Sequence, residues 1–147
     1  MMVIVIKPIR HEDNAVWREL WTGYLTFYES SVSEEVYAST FERLLTDGEY
    51  EPSGYIAWDG EAAVGLVHFM YHRHCWRTEN VCYLQDLFAA PKARGKGVGR
   101  ALIEAVYAQA DEKGCPVVYW NTAEDNATAR LLYDRIANKT AFIKYQR

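Results

Sequence analysis

Residues 94–100, Arg94-Gly95-Lys96-Gly97-Val98-Gly99-Arg100, stand between a strand-like run at 81–89 and a helix-like run at 98–113. Glycines at three alternate positions let the backbone come close to an anion and keep side chains clear of the helix start. The first N–H groups of that helix have no partner within it, and its dipole adds partial positive charge. Arg94, Lys96 and Arg100 bring formal charge to the same few residues. The segment predicts a pyrophosphate cradle for a nucleotide-like cofactor, set in a strand–loop–helix unit that any fold of this chain must contain. A dinucleotide fold is excluded. It wants Gly-x-Gly-x-x-Gly early in a βαβ unit with an acidic residue ~20 positions later, and it needs a longer chain. A Walker loop is excluded too, because no Gly-x-x-x-x-Gly-Lys followed by Ser or Thr occurs. A glycine-rich turn that merely joins strand to helix is the alternative.

The rest of the chain supplies further elements around that unit. Residues 1–6 read as a first strand, closed by Lys7-Pro8. Asp13 can cap a helix whose stripe is Trp17, Leu20, Trp21, Tyr24 and Tyr28. A second helix starts at Ser33, with Glu34 and Glu35 at its positive end and Val36, Phe41, Leu44 and Leu45 as its buried face, and ends at Gly48. Residues 55–58 and 63–71, joined through Asp59-Gly60, read as a hairpin with a primed turn. After the cradle, Val98, Ala101, Leu102, Ala105 and Val106 mark the core face of a helix that Gly114 terminates and Pro116 cannot continue. A short strand at 117–120, a helix at 126–137 and a last strand at 141–145 complete the order β-α-α-β-β-β-α-β-α-β. That order predicts a mixed α/β (α+β) domain spanning 1–147, with helices flanking one sheet.

Three segments carry a family resemblance. Arg94-x-x-Gly97-x-Gly99 resembles the acyl-CoA loop of the GNAT superfamily of N-acetyltransferases. Asn126-x-x-Ala129-x-x-Leu132-Tyr133 resembles the family's Asn-x-x-Ala-x-x-Leu/Phe-Tyr segment, although Ala137-Asn138-Lys139-Thr140 stands where the family continues with Gly-Phe. Tyr83-Leu84-Gln85-Asp86-Leu87 is the third, and the element order is also the GNAT order. The resemblance implies a mostly antiparallel sheet, acetyl-CoA as cosubstrate and acetyl transfer to a primary amine by direct attack in a ternary complex. It implies that Arg94, Gly95, Lys96, Gly97, Val98, Gly99 and Arg100 hold the pyrophosphate and that Asn126 contacts the cofactor. It also implies that backbone groups of Leu87, Phe88 and Ala89 bond the pantetheine arm.

Acetyl transfer needs a neutral amine, a donor for the developing oxyanion and a proton for the leaving thiolate. A lysine-like amine near ~10.4 and a thiol near ~8.5 make both proton transfers worth assisting at neutral pH. The resemblance gives Tyr133 the thiolate proton, while the plain alternative is a core tyrosine with a satisfied hydroxyl. Tyr-Leu-x-Asp followed by two apolar residues resembles the spermidine/spermine N-acetyltransferases, whose x is a glutamate associated with amine deprotonation. Gln85 stands there and cannot be a base, so it is left as a substrate contact. Strand alternation sets Asp86 on the other face from Gln85. Asp86 is then the candidate to bind a cationic substrate, relay a proton through water, or pair with a basic neighbour, with Glu79 and His72 as weaker alternatives. Tyr24 and Tyr28 are candidate substrate contacts, since an aromatic wall suits an ammonium group, and core packing is their other reading.

Other readings narrow the partners. The net charge of −4 lacks the basic face of a general nucleic-acid binder, and no apolar run approaches the ~20 residues of a membrane span. Cys75, Cys82 and Cys115 are odd in number and fit a reducing cytoplasm. His68, His72, His74 and Cys75 lack a compact chelating motif, so no metal site is expected. Tyr-Leu-Gln-Asp-Leu and the ending Lys139-Thr140-Ala141-Phe142-Ile143-Lys144-Tyr145 resemble the yeast-type histone-and-other-protein acetyltransferases. That likeness implies a small amine, amino acid or protein lysine as substrate, and a homodimer or higher homo-oligomer. A non-catalytic CoA-binding regulatory module and an acyltransferase with another acyl donor are the rival functions.

Overall fold

The computed structural model describes residues 2–147. Five strands, β1 (Ile4–Pro8), β2 (Ser53–Asp59), β3 (Ala62–His72), β4 (Val81–Ala89) and β5 (Val118–Tyr119), form one sheet in the order β1-β2-β3-β4-β5. The first three pairings are antiparallel and only β4–β5 is parallel, so the sheet is mixed and mostly antiparallel. The β2–β3 hairpin turns on Gly60 and Glu61, and Gly60 takes the positive φ (60°) that a primed turn demands.

Four helices cover the two faces. On one side α1 (Asn14–Phe27) and α2 (Glu34–Leu44) bury Trp17, Leu20, Trp21, Leu25 and Phe41 against Ile56, Leu66 and Phe88. On the other, α3 (Val98–Glu112) buries Val98, Leu102, Ile103, Val106 and Ala110 against Val64, Val67, Phe69, Cys82 and Leu84. There α4 (Ala127–Ile136) adds Leu132, Tyr133 and Ile136 at the margin, with no fully buried residue of its own. Ser33 caps α2 by accepting from Val36 N–H (3.3 Å). Cys115 N–H donates to Ala110 O (2.8 Å) and Gly114 N–H to Asp111 O (3.0 Å), with Gly114 at φ 70°. This left-handed closure ends α3.

Several expectations are corrected. Val36 and Leu45 stay exposed, because α2 touches the sheet over one narrow stripe centred on Phe41 and flanked by Tyr37 and Leu44. Ile103 and Ala110 replace Ala101 and Ala105 in the buried face of α3. Asp13 precedes α1 without capping it. Its carboxylate accepts from Arg10 instead, at the backbone N (2.8 Å), Nε (3.2 Å) and Nη2 (3.0 Å). The expected last strand at 141–145 is not formed. Residues 137–147 leave α4 outside the sheet, with Phe142, Ile143 and Tyr145 exposed, so their strand-like composition finds no neighbouring strand.

Candidate active site

The site begins with a fault in β4. Phe69 pairs with Leu84 and the adjacent His68 with Asp86, so Gln85 is one residue too many for the ladder. Such a bulge bends the strand and re-aims its side chains. Cys82 and Leu84 face the α3 layer, whereas Phe88 joins the α1 layer and Asp86 meets an α1 side chain, Trp21. Gln85 itself is exposed. β5 pairs with β4 only at Cys82↔Val118 and Tyr83↔Tyr119. Beyond Tyr83 the strands part, and residues 84–89 have an edge that β5 does not cover.

Asp86 lies beside that opening, 9% exposed. Its Oδ2 accepts from Trp21 Nε1 (3.3 Å) and bonds His68 Nδ1 (2.9 Å), while His68 Nε2 accepts from Trp17 Nε1 (2.9 Å). The candidate substrate tyrosines of α1 stand close by. Burial raises the Tyr24 phenol first, and the charge of Asp86 raises it further. The same two causes raise Tyr28, whose ring centroid is 5.0 Å from that of Tyr24. Tyr133 comes from the opposite layer. It is pushed up to about 12 by burial and then by its proximity to Tyr28, and it packs edge-on against Trp120 at 5.3 Å. Asp86, Tyr24, Tyr28 and Tyr133 thus gather where β4 and β5 diverge.

The glycine loop opens beside the same end of β4. Gly95 and Gly97 take positive φ (77° and 83°), and a Cβ at either would meet nothing within 4 Å. The backbone conformation and the empty space both favour glycine, leaving a concave surface of main chain. The first bond of α3 runs from Ala101 N–H to Gly97 O (3.0 Å), so the N–H groups ahead of Ala101 have no helical acceptor. The charges differ from the sequence reading. Arg94 folds back to donate to Ala89 O (3.2 Å) and lies over Phe27 and Phe88. Arg100 pairs with Glu104 (2.8 Å) along the helix. The backbone donors and Lys96 remain for an anion, beside an Arg94 guanidinium whose partner is a carbonyl oxygen and not a carboxylate. A pyrophosphate fits this cradle of free N–H groups over open space.

The profile of the acetyltransferase (GNAT) family matches residues 14–137. This chain belongs to the GNAT family. It is 42% identical over 146 residues to the D-amino-acid N-acetyltransferase HPA3 of Saccharomyces cerevisiae, covering 98% of this chain and 90% of that one. A thialysine N-epsilon-acetyltransferase of Caenorhabditis elegans is 30% identical over 99 residues, 67% of this chain and 61% of its own. Among solved structures, the aminoglycoside N-acetyltransferase AAC(6')-Iy in complex with CoA superposes with a TM-score of 0.85 at 18% identity, covering 100% of this chain and 95% of that chain. A ribosomal-protein-alanine N-acetyltransferase from Brucella melitensis gives 0.77 at 20% identity, covering 99% and 98%. At such identities the likeness is one of fold, and it is the GNAT fold.

Within this GNAT chain the other predicted residues are not all drawn to the centre. Asn126 precedes α4, where its Nδ2 donates to Thr122 Oγ1 (3.3 Å). Leu132 is the α4 residue that reaches the glycine loop, its Cδ2 lying 3.6 Å from where a Gly99 Cβ would sit. His72 bonds Tyr119 OH (2.7 Å) at the far end of β3, and Glu79 lines a cleft of about 560 Å³ between Leu44 and Lys113. That cleft contains none of the clustered residues, and neither His72 nor Glu79 joins Asp86. Among the described residues no three His, Cys, Asp or Glu side chains gather as a metal-binding group, and no helix is long and apolar enough to cross a membrane. Sequence reading weighed His68 only as a metal ligand and missed its bond to Asp86 and the bonding role of Trp21. The available signal was a single histidine inside the apolar run Val64-Gly65-Leu66-Val67-His68-Phe69, since a polar side chain at such a place needs a partner.

Proposed function

We propose that this GNAT-family N-acetyltransferase is a single domain that moves the acetyl group of acetyl-CoA to a free amino acid or similarly small primary amine. The observation that carries the reading is Asp86, a nearly buried carboxylate whose partners are an indole and an imidazole, beside an uncovered strand edge and across from Tyr133. A carboxylate so placed gains most from an incoming cation. The substrate class leans on the two relatives named for amino-acid substrates, a D-amino-acid and a thialysine acetyltransferase.

Acetyl-CoA supplies the acetyl thioester. Residues 94–100 hold its pyrophosphate through backbone N–H groups, and Asn126 adds a contact. Leu87, Phe88 and Ala89 offer the main-chain groups of the open edge to the pantetheine arm and to the carbonyl oxygen, where a preorganised N–H is most effective. Asp86 receives the ammonium, with Tyr24 and Tyr28 as aromatic wall and Gln85 at the rim. Of the two protons the ammonium sheds, one ends on sulfur and the other in solvent, by way of Asp86 or water. Tyr133, raised to about 12, remains a phenol throughout the working pH range. Full transfer from it to a thiolate near ~8.5 would be uphill by about 5 kcal/mol. Its part is therefore to donate a hydrogen bond to the forming thiolate while the net proton comes from the amine. Attack is direct in this proposal: Cys82 and Cys115 are buried with raised thiols, and the exposed Cys75 sits in the β3–β4 turn, at the other end of these strands from Asp86.

The test is CoA release from acetyl-CoA across D- and L-amino acids, lysine analogues, polyamines and histone-tail peptides, with products confirmed by mass. Release with amino acids is expected, and Asp86→Asn should lower kcat/KM for the amine about 100-fold. Release with polyamines or peptides alone would overturn the substrate class, and no release with any amine would overturn the reading.

We also propose a homodimer formed through residues 137–147, whose Phe142, Ile143 and Tyr145 are 88%, 75% and 88% exposed, in a chain whose β5 is an edge strand. Sedimentation should give a dimer for the intact chain and a monomer after removal of 139–147. A monomeric intact chain would refute it. The three free cysteines suit a reducing cytoplasm.

A further inference from the structure

His68 sits on β3 between two indoles, 6.1 Å from the Trp17 ring and 5.7 Å from that of Trp21. It is 3% exposed. On the β2 side a Cβ at Gly54 would come within 3.1 Å of its Cδ2, so the ring is walled in there too. An indole N–H only donates. The 2.9 Å contact from Trp17 Nε1 therefore requires a lone pair on His68 Nε2. The ring's one proton is then on Nδ1, where it is donated to Asp86 Oδ2 at 2.9 Å. Trp21 Nε1 donates to the same oxygen at 3.3 Å.

Both donors fall on one oxygen and neither carries a formal charge in this arrangement. Oδ2 is fixed from two directions by neutral donors, and the Tyr24 hydroxyl beside the carboxylate is a further neutral donor. An imidazolium in the same place would neutralise Asp86 and remove its value to an ammonium ion. Trp17 prevents that arrangement for as long as its N–H occupies Nε2. Among the described residues, the neighbours of the pair that bear on its charge are neutral: Tyr24 of α1 and Tyr28 just after it are phenols, and Tyr37 of α2 packs edge-on to both indoles.

We infer that His68 is a positioning residue, locked by Trp17 as the Nδ1–H tautomer, that turns Asp86 toward the substrate and preserves its charge for the substrate's ammonium group. The inference rests on the reading of Asp86 as the amine-binding residue, and it makes the Trp17–His68–Asp86–Trp21 chain part of substrate recognition. Asparagine at position 68 keeps a donor close to the Nδ1 position, whereas leucine keeps only bulk.

The test combines kinetics with nitrogen-15 NMR of the histidine ring in the intact protein. Wild type should show a protonated Nδ1 and an unprotonated Nε2 for His68, and Trp17→Phe should mix the tautomers. His68→Leu should lower kcat/KM for the amine at least 10-fold, mainly through KM, with the KM for acetyl-CoA within about 2-fold of wild type. His68→Asn should recover most of that loss. A protonated Nε2 in wild type would overturn the inference even if His68→Leu does not fold. So would a folded His68→Leu enzyme with unchanged amine kcat/KM when Asp86→Asn is impaired, and that result leaves the amine-binding reading of Asp86 intact. If Asp86→Asn itself has unchanged kcat/KM, that reading fails and the role of His68 falls with it.

Discussion

At the scale of single residues, the proposed reaction divides the work between Tyr133 and Asp86 by environment. The raised phenol remains protonated and the indole-bound carboxylate remains an acceptor, so each has one role. Tyr133→Phe should lower kcat about 100-fold, as expected for removing one preorganised hydrogen-bond donor from a developing charge, with little change in acetyl-CoA affinity. Because burial and Tyr28 hold Tyr133 near 12, the wild-type pH–rate profile should show no fall below about pH 10 that Tyr133→Phe abolishes. Turnover in the variant equal to wild type would remove Tyr133 from the chemistry. Both candidates could be singled out in the chain, Asp86 as an acid inside a strand and Tyr133 through its spacing from Asn126. His68 could not, since its meaning comes from an indole 51 positions away. Nor could the diversion of Arg94 and Arg100 from the cradle, because charge in a loop shows in sequence and its partners do not.

At the scale of elements, a short junction ties β1 to α1. Burial by itself would raise Asp13. Hydrogen bonds from the Arg10 side chain and backbone, with the charges of Arg10 and Lys7, outweigh it and hold the carboxyl below its usual range. A depressed folded value stabilises the fold above the unfolded carboxylate range near ~3.9 and loses that contribution as acid protonates the group. Asp13→Asn should cost about 1–2 kcal/mol in urea unfolding at pH 7, and its difference from wild type should shrink steadily below about pH 4. A difference that persists in strong acid would assign the loss to packing instead. Helix positions were readable from periodicity and from Ser33 and Gly114. The buried face of α2 was not, because an amphipathic stripe indicates a direction without saying how wide the contact will be. The expected strand at 141–145 failed for a related reason: β-favouring residues need a neighbouring backbone, and the bulge at Gln85 likewise exists only in the pairing of β3 with β4.

At the scale of the whole molecule, one feature governs how the parts hold together. Only Cys82 and Tyr83 pair with β5, in a two-residue seam, and α4 rests on the core through partly buried side chains with no fully buried residue, so the part after β5 is held more thinly than the rest. Stability is uneven across such a body, and thinly packed segments open at lower free energy than the core. In deuterated solvent the amides of 118–119 and of α4 should exchange well before those of β2, β3 and α3. A bound acyl donor reaching from the glycine loop to Tyr133 would bridge the seam, and protection should then rise in α4 more than in α1. Equal protection of α4 and α3 in the free protein would contradict the uneven attachment. On the proposed function, the two-residue seam leaves the last thirty residues as the part of the molecule that the acyl donor would fasten to the core.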